Sequence, residues 1–464
     1  MTGNDGRGGN PGARPRHRNR VTYALREFLL VPSVVTGVLI VLAVIASVLD
    51  RNAQHWAKPA YRAVATVVPA EATTTLLSTI TPGLLTVISI IFFVLLMAVQ
   101  HQSATYSPVV LDQFLRRRLN QVFFGVFVGL TVFCLLALAL VPAGAIMAGT
   151  LALLLTAITL VCLLVFVYST VDQIRPSATV WMLQQLAVQA RKGQQPLLAR
   201  CRAQAQLTDL PATEVTSGQA GYVVHINGDL LARALRPVSE TAEIELQVSM
   251  GDHVVPGGLL AEVRAEDQAE RNRLAGAVLD ALWLGRMRDL GRDAAHSVDH
   301  LSNMAWAATA TSADPEGAQI TVETLHSLLV TFQEQESRHS AGAHGGQLPL
   351  VYKDPVIGKI LDGLTSVIAA SGQSGQHQTC GAVVTVLSRA LPQLEADNQR
   401  IAFDRLQRVL PTALDHVFTS EIEHAFDAMQ HAMHQTELPE GAQRIRQIKE
   451  QMRRNQRLDD PAAE

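Results

Sequence analysis

Three consecutive stretches decide the fold: TPGLLTVISIIFFVLLMAV at residues 81–99, QHQSATYSPVVLDQFLRRRLNQ at residues 100–121, and VFFGVFVGLTVFCLLALALV at residues 122–141. The two outer stretches are apolar enough to cross a bilayer, whose hydrocarbon core takes about 20 residues of helix. The middle stretch is polar and carries three adjacent arginines. We therefore expect two membrane spans joined by a connection that stays at the membrane surface.

Two further apolar runs bring the number of expected spans to four. The runs are Leu29–Leu49, about Leu76–Val99, Val122–Val141 and Ile146–Tyr168, with no Asp, Glu, Lys, Arg or His away from their ends. Because lipid offers the backbone no hydrogen-bond partners, each run is expected to form a helix. The sequence predicts a four-helix transmembrane domain over residues 29–175, preceded by a basic, disordered tail over residues 1–28.

Basic residues along this domain alternate between rich and poor connections. Six arginines precede the first run, and residues 50–75 hold three basic residues offset by two acids. Arg116, Arg117 and Arg118 then fill the second connection. The positive-inside rule places the N-terminus, the arginine triplet and residues 170–464 in the cytoplasm. The triplet is predicted to be a topological anchor near anionic lipid head groups.

The net charge of −3 hides an asymmetry between the two parts of the chain. Residues 1–175 hold 13 Lys and Arg against 6 Asp and Glu, whereas residues 176–464 hold 25 against 35. This pattern is typical of a basic membrane part followed by an acidic, water-soluble part. The four cysteines have no partners at metal-ligand spacing, which indicates buried or free thiols in a reducing compartment.

The predicted fold class is an α-helical membrane protein followed by a cytoplasmic α+β domain. Residues 176–212 are predicted to form a connecting helix, and residues 213–266, with short alternating runs between glycines, a small β module. That module resembles the half-barrels of lipoyl- and biotin-carrier-like domains, but it contains no lysine, so covalent cofactor attachment is excluded there. Helices are predicted over residues 267–440, and a charged tail over residues 441–464.

Three motifs carry a resemblance to a known family. They are QHQSATYSPVVLDQFLRRRLNQVFFGVFVG, SGQAGYVVHINGDLLARAL with VSMGDHVVPGGLLAEV, and LDALWLGRMRDLGRDAAHSVDHLSNMAWAAT. Together, over most of residues 20–335, they resemble a family of bacterial predicted membrane proteins, the domain-of-unknown-function 2254 family. The resemblance implies a multi-pass protein of the bacterial inner membrane with a cytoplasmic domain, and it implies no established reaction.

The chain departs from the family pattern at one turn. The family shows Ser-Pro-x-x-Asn-Asp-Pro followed by Thr-Ala, whereas this chain has TSADPEGAQIT and keeps Asp314 and Pro315. If that turn carries a family activity, the departure puts the activity in doubt here.

Candidate binding chemistry lies in two places. Arg286, Arg288 and Arg292 lie near a helix end and could grip an anionic ligand bidentately; the alternative is a network of surface ion pairs. Carboxylates and histidines share one helical stripe, where a solvated face is favoured over a metal site; the residues are Glu423, Asp427, His431 and His434. With no nucleotide-binding or hydrolase motif, we expect no enzyme, no metal and no cofactor.

Two functions remain open. The first is an oligomeric channel or permease-like protein, whose path for a small solute or ion is lined by Thr86 and Ser89 and whose cytoplasmic domain regulates it. The second is a membrane-anchored scaffold or sensor, whose cytoplasmic domain binds a partner or ligand. The expected partners are the lipid bilayer and further copies of the chain, and no nucleic acid.

Overall fold

The computed structural model divides the chain into two compact units. They are Met1–Ile174, here called the span unit, and Arg175–Glu464, here called the C-terminal unit. The described residues are 20–56, 70–105, 118–140, 146–174, 176–311, 314–342 and 348–459. The predicted tail over residues 1–19, and Arg116 and Arg117 of the arginine triplet, lie outside the described residues.

The span unit consists of four long helices, α1 to α4. They are Arg20–Trp56, Ala70–Thr105, Arg118–Leu140 and Met147–Ile174. Each contains a stretch long and apolar enough to cross a membrane, at Leu29–Arg51, Ala72–Phe93, Gln121–Leu140 and Met147–Ser169. These stretches confirm the prediction of four transmembrane helices.

The start of α1 differs from the prediction, because residues 20–28 are helical and not part of a tail. These residues read RVTYALREF, in which alanine, leucine, arginine and glutamate are strong helix formers. The helix therefore continues past the end of the apolar run.

Helix α3 is the central element of the span unit and packs closely on α1. A Cβ atom at Gly125 would lie 2.8 Å from Val35 Cβ, and one at Gly129 would lie 2.6 Å from Leu39 Cδ1. Neither contact leaves room for a larger side chain. The Gly-x-x-x-Gly spacing therefore brings two helices together, as small residues four apart do in membranes.

Two neighbouring charges at the end of the first apolar stretch hold the ends of α3 and α4. The buried Asp50 carboxylate accepts hydrogen bonds from the backbone N–H groups of Ile146, Met147 and Ala148 at 3.1, 2.9 and 3.0 Å. Arg51 donates to the Leu140 carbonyl at 3.0 Å. Asp50 thus satisfies the open donors at the start of α4, and Arg51 an open acceptor at the end of α3.

The C-terminal unit begins with helix α5 (Pro176–Leu198) and continues into two small sheets. The strands are β1 (Ala212–Thr216), β2 (Gly221–Ile226), β3 (Ala242–Leu246), β4 (His253–Val254), β5 (Leu259–Ala265), β6 (Leu282–Gly285) and β7 (Leu350–Val351). The four-stranded sheet has the order β1-β5-β3-β7, and the three-stranded sheet has the order β4-β2-β6. All pairs are antiparallel except β3 with β7.

Helices accompany the sheets and form the rest of the C-terminal unit. Helices α6 (Gly228–Leu235) and α7 (Gln268–Ala281) bury Leu231, Leu274 and Val278 in one core with both sheets. The later helices are α8 (Ala294–Ala310), α9 (Pro315–Gly342), α10 (Val356–Ser374), α11 (His377–Ala390), α12 (Ala396–Val409), α13 (Ser420–Gln435) and α14 (Pro439–Asp459). The prediction of sheets followed by helices is thereby confirmed.

Two stretches of the C-terminal unit differ from the helices and tail that the sequence predicts. Residues 282–285 form strand β6, because pairing with β2 outweighs the local helical spacing. Residues 439–459 form the amphipathic helix α14, whose stripe of Ala442, Ile445, Ile448 and Met452 is buried. That stripe lies among many charges, which is why composition alone indicates a tail.

Candidate functional site: the arginine loop

The three candidate arginines lie on one loop, residues 286–293, here called the arginine loop. It joins β6 to the first residue of α8. Two contacts fix its backbone: Gln194 of α5 donates to the Arg292 carbonyl at 2.9 Å, and Gly291 N donates to Asp289 Oδ1 at 3.1 Å. The loop thus has a defined course before its side chains are considered.

Arg288 is held inside the unit by two carboxylates. Its Nε donates to Asp293 Oδ2 at 2.8 Å and its Nη1 to Asp299 Oδ2 at 2.6 Å. Lys359 of α10 binds Asp299 at 2.8 Å. Burial alone would lower the pKa of Arg288, but the hydrogen bonds and charges of Asp293 and Asp299 outweigh it and raise that pKa. Arg288 is therefore committed to internal ion pairs.

Asp293 connects this ion-pair network to the start of α8. It is 2% exposed, and its Oδ1 accepts a hydrogen bond from His296 N at 3.1 Å as the N-cap of the helix. Gly251, in the turn between β3 and β4, has a φ of +90°, and a Cβ there would collide with Asp293 Oδ2. Only glycine fits a turn with that backbone and that neighbour. The network thus joins the sheets to the helices.

Arg286 and Arg292, in contrast, are exposed. Within the described residues, no carboxylate lies within salt-bridge distance of either guanidinium. Burial lowers the pKa of His225, and the positive charge of Arg292 lowers it further. Of the three candidates, these two have exposed side chains.

His296 and His300 lie one turn apart on α8, beside the ion-pair network. Their ring centroids are 4.5 Å apart. Burial, with a smaller contribution from the charge of Arg288, lowers the pKa of His296 to about 4, and burial lowers the pKa of His300. Both imidazoles are therefore neutral near pH 7. Across the part of the chain that the structure describes, no group of three or more His, Cys, Asp or Glu side chains could hold a metal ion.

The predicted stripe on α13 is engaged by the last helix. Glu423 pairs with Lys449 at 3.3 Å and also with Arg453, and Asp427 pairs with Lys449 at 2.5 Å. His431 binds Gln435 on its own helix. The two carboxylates thus help to hold α14.

The other predicted residues have structural positions of their own. Thr86 and Ser89 are exposed on α2, and each hydroxyl donates to its own helix at 2.9 Å, to the carbonyls of Pro82 and Leu85. Arg118 is the exposed first residue of α3. At the altered family turn, Asp314 Oδ1 accepts a hydrogen bond from Gly317 N at 2.9 Å and so caps α9.

The sequence did not indicate a buried chain of hydrogen bonds between α10, α11 and the segment after α12. His416 Nε2 lies 3.1 Å from the Ser371 hydroxyl, and His416 Nδ1 lies 3.1 Å from His377 Nδ1. Ser371 is fully buried and His416 is 6% exposed, so this serine–histidine pair is enclosed by the packed helices around it. No local spacing could reveal it, because Ser371 and His416 are 45 residues apart.

The lowered pKa of His416 in this pair predicts that the folded chain loses stability in acid. Burial, and then the neighbouring His377, lower the pKa of His416 to about 4 from an ordinary 6.5. Between these values the unfolded chain binds more protons at this group than the folded chain does. The contribution of His416 to stability is therefore fully present above about pH 6.5 and is lost as the pH falls toward 4. We expect thermal unfolding of the full chain in detergent to lose about 1–2 kcal/mol between pH 7 and pH 5 through this group.

The matched variants for this prediction are His416→Gln and the exposed His434→Gln. The first should flatten the pH dependence, and the second should leave it as in the parent chain. An unchanged slope in His416→Gln would contradict the assignment.

The four spans define the class of this chain as an integral membrane protein. Its C-terminal unit is α+β and carries the partly exposed arginine loop. More particularly, the chain belongs to the family described as Predicted membrane protein (DUF2254), whose family model matches residues 26–389. No curated protein and no solved structure is significantly similar to it.

Proposed function

We propose that the chain is a membrane-anchored sensor or scaffold, with no catalytic role. Four spans hold a C-terminal unit that binds a ligand or partner on the cytoplasmic side of a bacterial inner membrane. Arg286 and Arg292 supply the contacts to an anionic group on that ligand. Both are exposed on a loop of fixed backbone, and guanidinium groups suit carboxylate and phosphate oxygens.

The observation that carries the anchoring role is the filled, mostly apolar interior of the span unit. Leu77, Leu130, Phe133 and Cys134 fill one part of it without exposure above 1%. Another part is closed by aromatic side chains from α3 and α4, at Phe123, Phe127 and Phe166. A single copy is thus a packed bundle of helices, which favours an anchor over a path for solutes.

One observation favours the channel as a second candidate. Hydroxyl side chains recur along one outer face of α2, at Thr75, Thr79, Thr86 and Ser89. The spacings are four, seven and three residues, and the longest includes Pro82. All four are exposed in one copy of the chain. Several copies around a common axis would turn these stripes toward one another and line an uncharged path.

Solute flux through liposomes that contain the full chain separates the two candidates. We expect vesicles as tight as protein-free ones, with no effect of Thr86→Leu, because the interior of each copy is filled. The matched control is Thr156→Leu on α4, whose hydroxyl also donates to its own helix, to the Ala152 carbonyl at 2.7 Å. Leakage that Thr86→Leu alters and Thr156→Leu does not would refute the anchor and establish the channel.

A further inference from the structure

The two sheets of the C-terminal unit present very different outer faces. On the four-stranded sheet, one face carries charged side chains: Arg264 binds Glu245 at 2.8 Å and Glu262 at 2.5 Å. The strands of the three-stranded sheet read GYVVHI, HV and LWLG, and they contain no Asp, Glu, Lys or Arg. Its outer face is therefore uncharged.

Aromatic and imidazole rings cover this outer face in two adjacent pairs. Tyr222 lies opposite His253 and His225 opposite Trp283, and the ring centroids are 4.8 Å apart in both pairs. Gly285 lies opposite Tyr222 on β6 and leaves room for the side chain of Val224. We call these side chains, with the neighbouring Val255 and Met287, the aromatic face.

The aromatic face is accessible and is bordered by positive charge. Trp283 is 49% exposed and Met287 71%. Arg286 lies between them in the sequence and is exposed, and the exposed Arg292 lies on the same loop as Arg286. The positive charge of Arg292 contributes to lowering the pKa of His225. The carboxylate of Asp252, next to β4, is turned to Ser249 N at 2.7 Å. Tryptophan and tyrosine beside arginine form the combination that settles at the headgroup level of a bilayer.

We propose that the aromatic face docks on the headgroup layer of an anionic lipid bilayer, with Trp283 and Met287 inserted and Arg286 and Arg292 bound to lipid phosphates. The inference rests on the proposed anion-binding role of these two arginines and names the source of the anion. An exposed, uncharged sheet face with aromatic side chains is typical of an interaction site. Because the chain itself spans a membrane, lipid is present at high effective concentration, and basic side chains are attracted to anionic leaflets.

Tryptophan fluorescence of the full chain in liposomes tests the docking. The liposomes contain anionic lipid and a lipid brominated near the headgroup, which quenches tryptophans close to it. Trp283→Phe is expected to lower the quenched share of the emission by about a quarter of the total, since the chain has four tryptophans. The matched control Trp306→Phe removes a tryptophan that is 48% exposed on α8 and should raise that share.

The arginines are tested in the same preparation. Arg286→Gln with Arg292→Gln, or replacement of the anionic lipid by a zwitterionic one, should bring the quenched share down to that of Trp283→Phe. Both arginines are exposed, so these variants are expected to fold, which thermal unfolding checks. Quenching that persists in both cases would overturn the role of the arginines.

Two other outcomes would overturn the docking itself. An equal fall in Trp283→Phe and Trp306→Phe would mean that the whole unit lies near lipid without preference for this face. A Trp283 that is unquenched by bromolipid but shielded from aqueous iodide would indicate that a second copy covers the face. Failure of the anchoring proposal can be told apart from failure of the docking proposal. It appears as leakage that Thr86→Leu alters, and it leaves the quenching of Trp283 unchanged.

Discussion

Replacing Asp293 with alanine is expected to destabilise the C-terminal unit by about 3–5 kcal/mol, the usual cost of breaking a buried ion pair from one side. The change leaves Arg288 half-buried with one of its two carboxylate partners removed. It also removes the N-cap of α8, which adds about 1 kcal/mol. Urea unfolding of the full chain in detergent, followed by tryptophan fluorescence, measures the loss.

The double variant Asp293→Ala with Arg288→Met shows whether the unpaired charge is the cause. With the guanidinium gone, the double variant should be more stable than Asp293→Ala alone. A conservative comparison is Asp299→Ala, since that carboxylate is 29% exposed and should cost less. An Asp293→Ala chain within about 1 kcal/mol of the parent, or a double variant no better than the single one, would show that the network does not hold the arginine loop.

The spans could be predicted from the sequence because lipid imposes one solution on each apolar run. A helix satisfies its own backbone, and its length must match the bilayer. Gly125 and Gly129 could be predicted as packing residues for the same reason, since few contacts other than close helix approach are available there. Such local rules predict these features without any knowledge of which distant residues they contact.

The different environments of the three arginines in the arginine loop could not be predicted from such local rules. Arg286, Arg288 and Arg292 look equivalent in the sequence. In the structure Arg288 pairs with two carboxylates, whereas Arg286 and Arg292 are exposed. Asp293 supplies one signal that could have been used, because an aspartate three residues before the first-turn His296 is typical of an N-cap. Asp299 and the turn at residue 251 come together only in the folded chain.

Strand β6 is a second instance. Residues 282–285 follow α7 directly and continue an apolar spacing that a helix would also show. Only pairing with β2, about 60 residues earlier, selects the strand and turns Trp283 outward. The aromatic face that we propose as a lipid-docking surface therefore could not be recognised before the fold was known.

Glu243 leads to the second large effect, and it lies on the other sheet. The side chain is fully buried on β3, and its carboxylate accepts hydrogen bonds from Gln206 N at 3.0 and 3.1 Å and from Leu207 N at 3.1 Å. Arg202 Nη1 lies 4.0 Å away. One side chain thus holds the irregular segment 199–211, which connects α5 to β1.

Glu243→Ala is expected to cost about 3–5 kcal/mol, because two backbone donors and a guanidinium lose their acceptor in a buried place. Urea unfolding of the full chain measures the loss, and hydrogen exchange should accelerate at Gln206 and Leu207 before the unit unfolds globally. Glu243→Gln keeps the shape but offers a single acceptor oxygen, so its cost should fall between those of the parent and the alanine variant.

The matched control lies two residues along the same strand. Glu245 binds Arg264 at 2.8 Å and the exposed Lys353 at 3.5 Å, and its side chain is 12% exposed, whereas that of Glu243 is fully buried. Glu245→Ala breaks ion pairs that are partly open to water, so it should cost less than Glu243→Ala, about 1–2 kcal/mol. It should also leave exchange at residues 206 and 207 unchanged. If the two alanine variants lose equal stability, burial of the carboxylate does not decide its contribution. The course of the segment from α5 to β1 would then depend on its backbone hydrogen bonds with β7 and the residue after it. These join Arg202 N to Leu350 O (2.8 Å) and Tyr352 N to Arg202 O (3.2 Å).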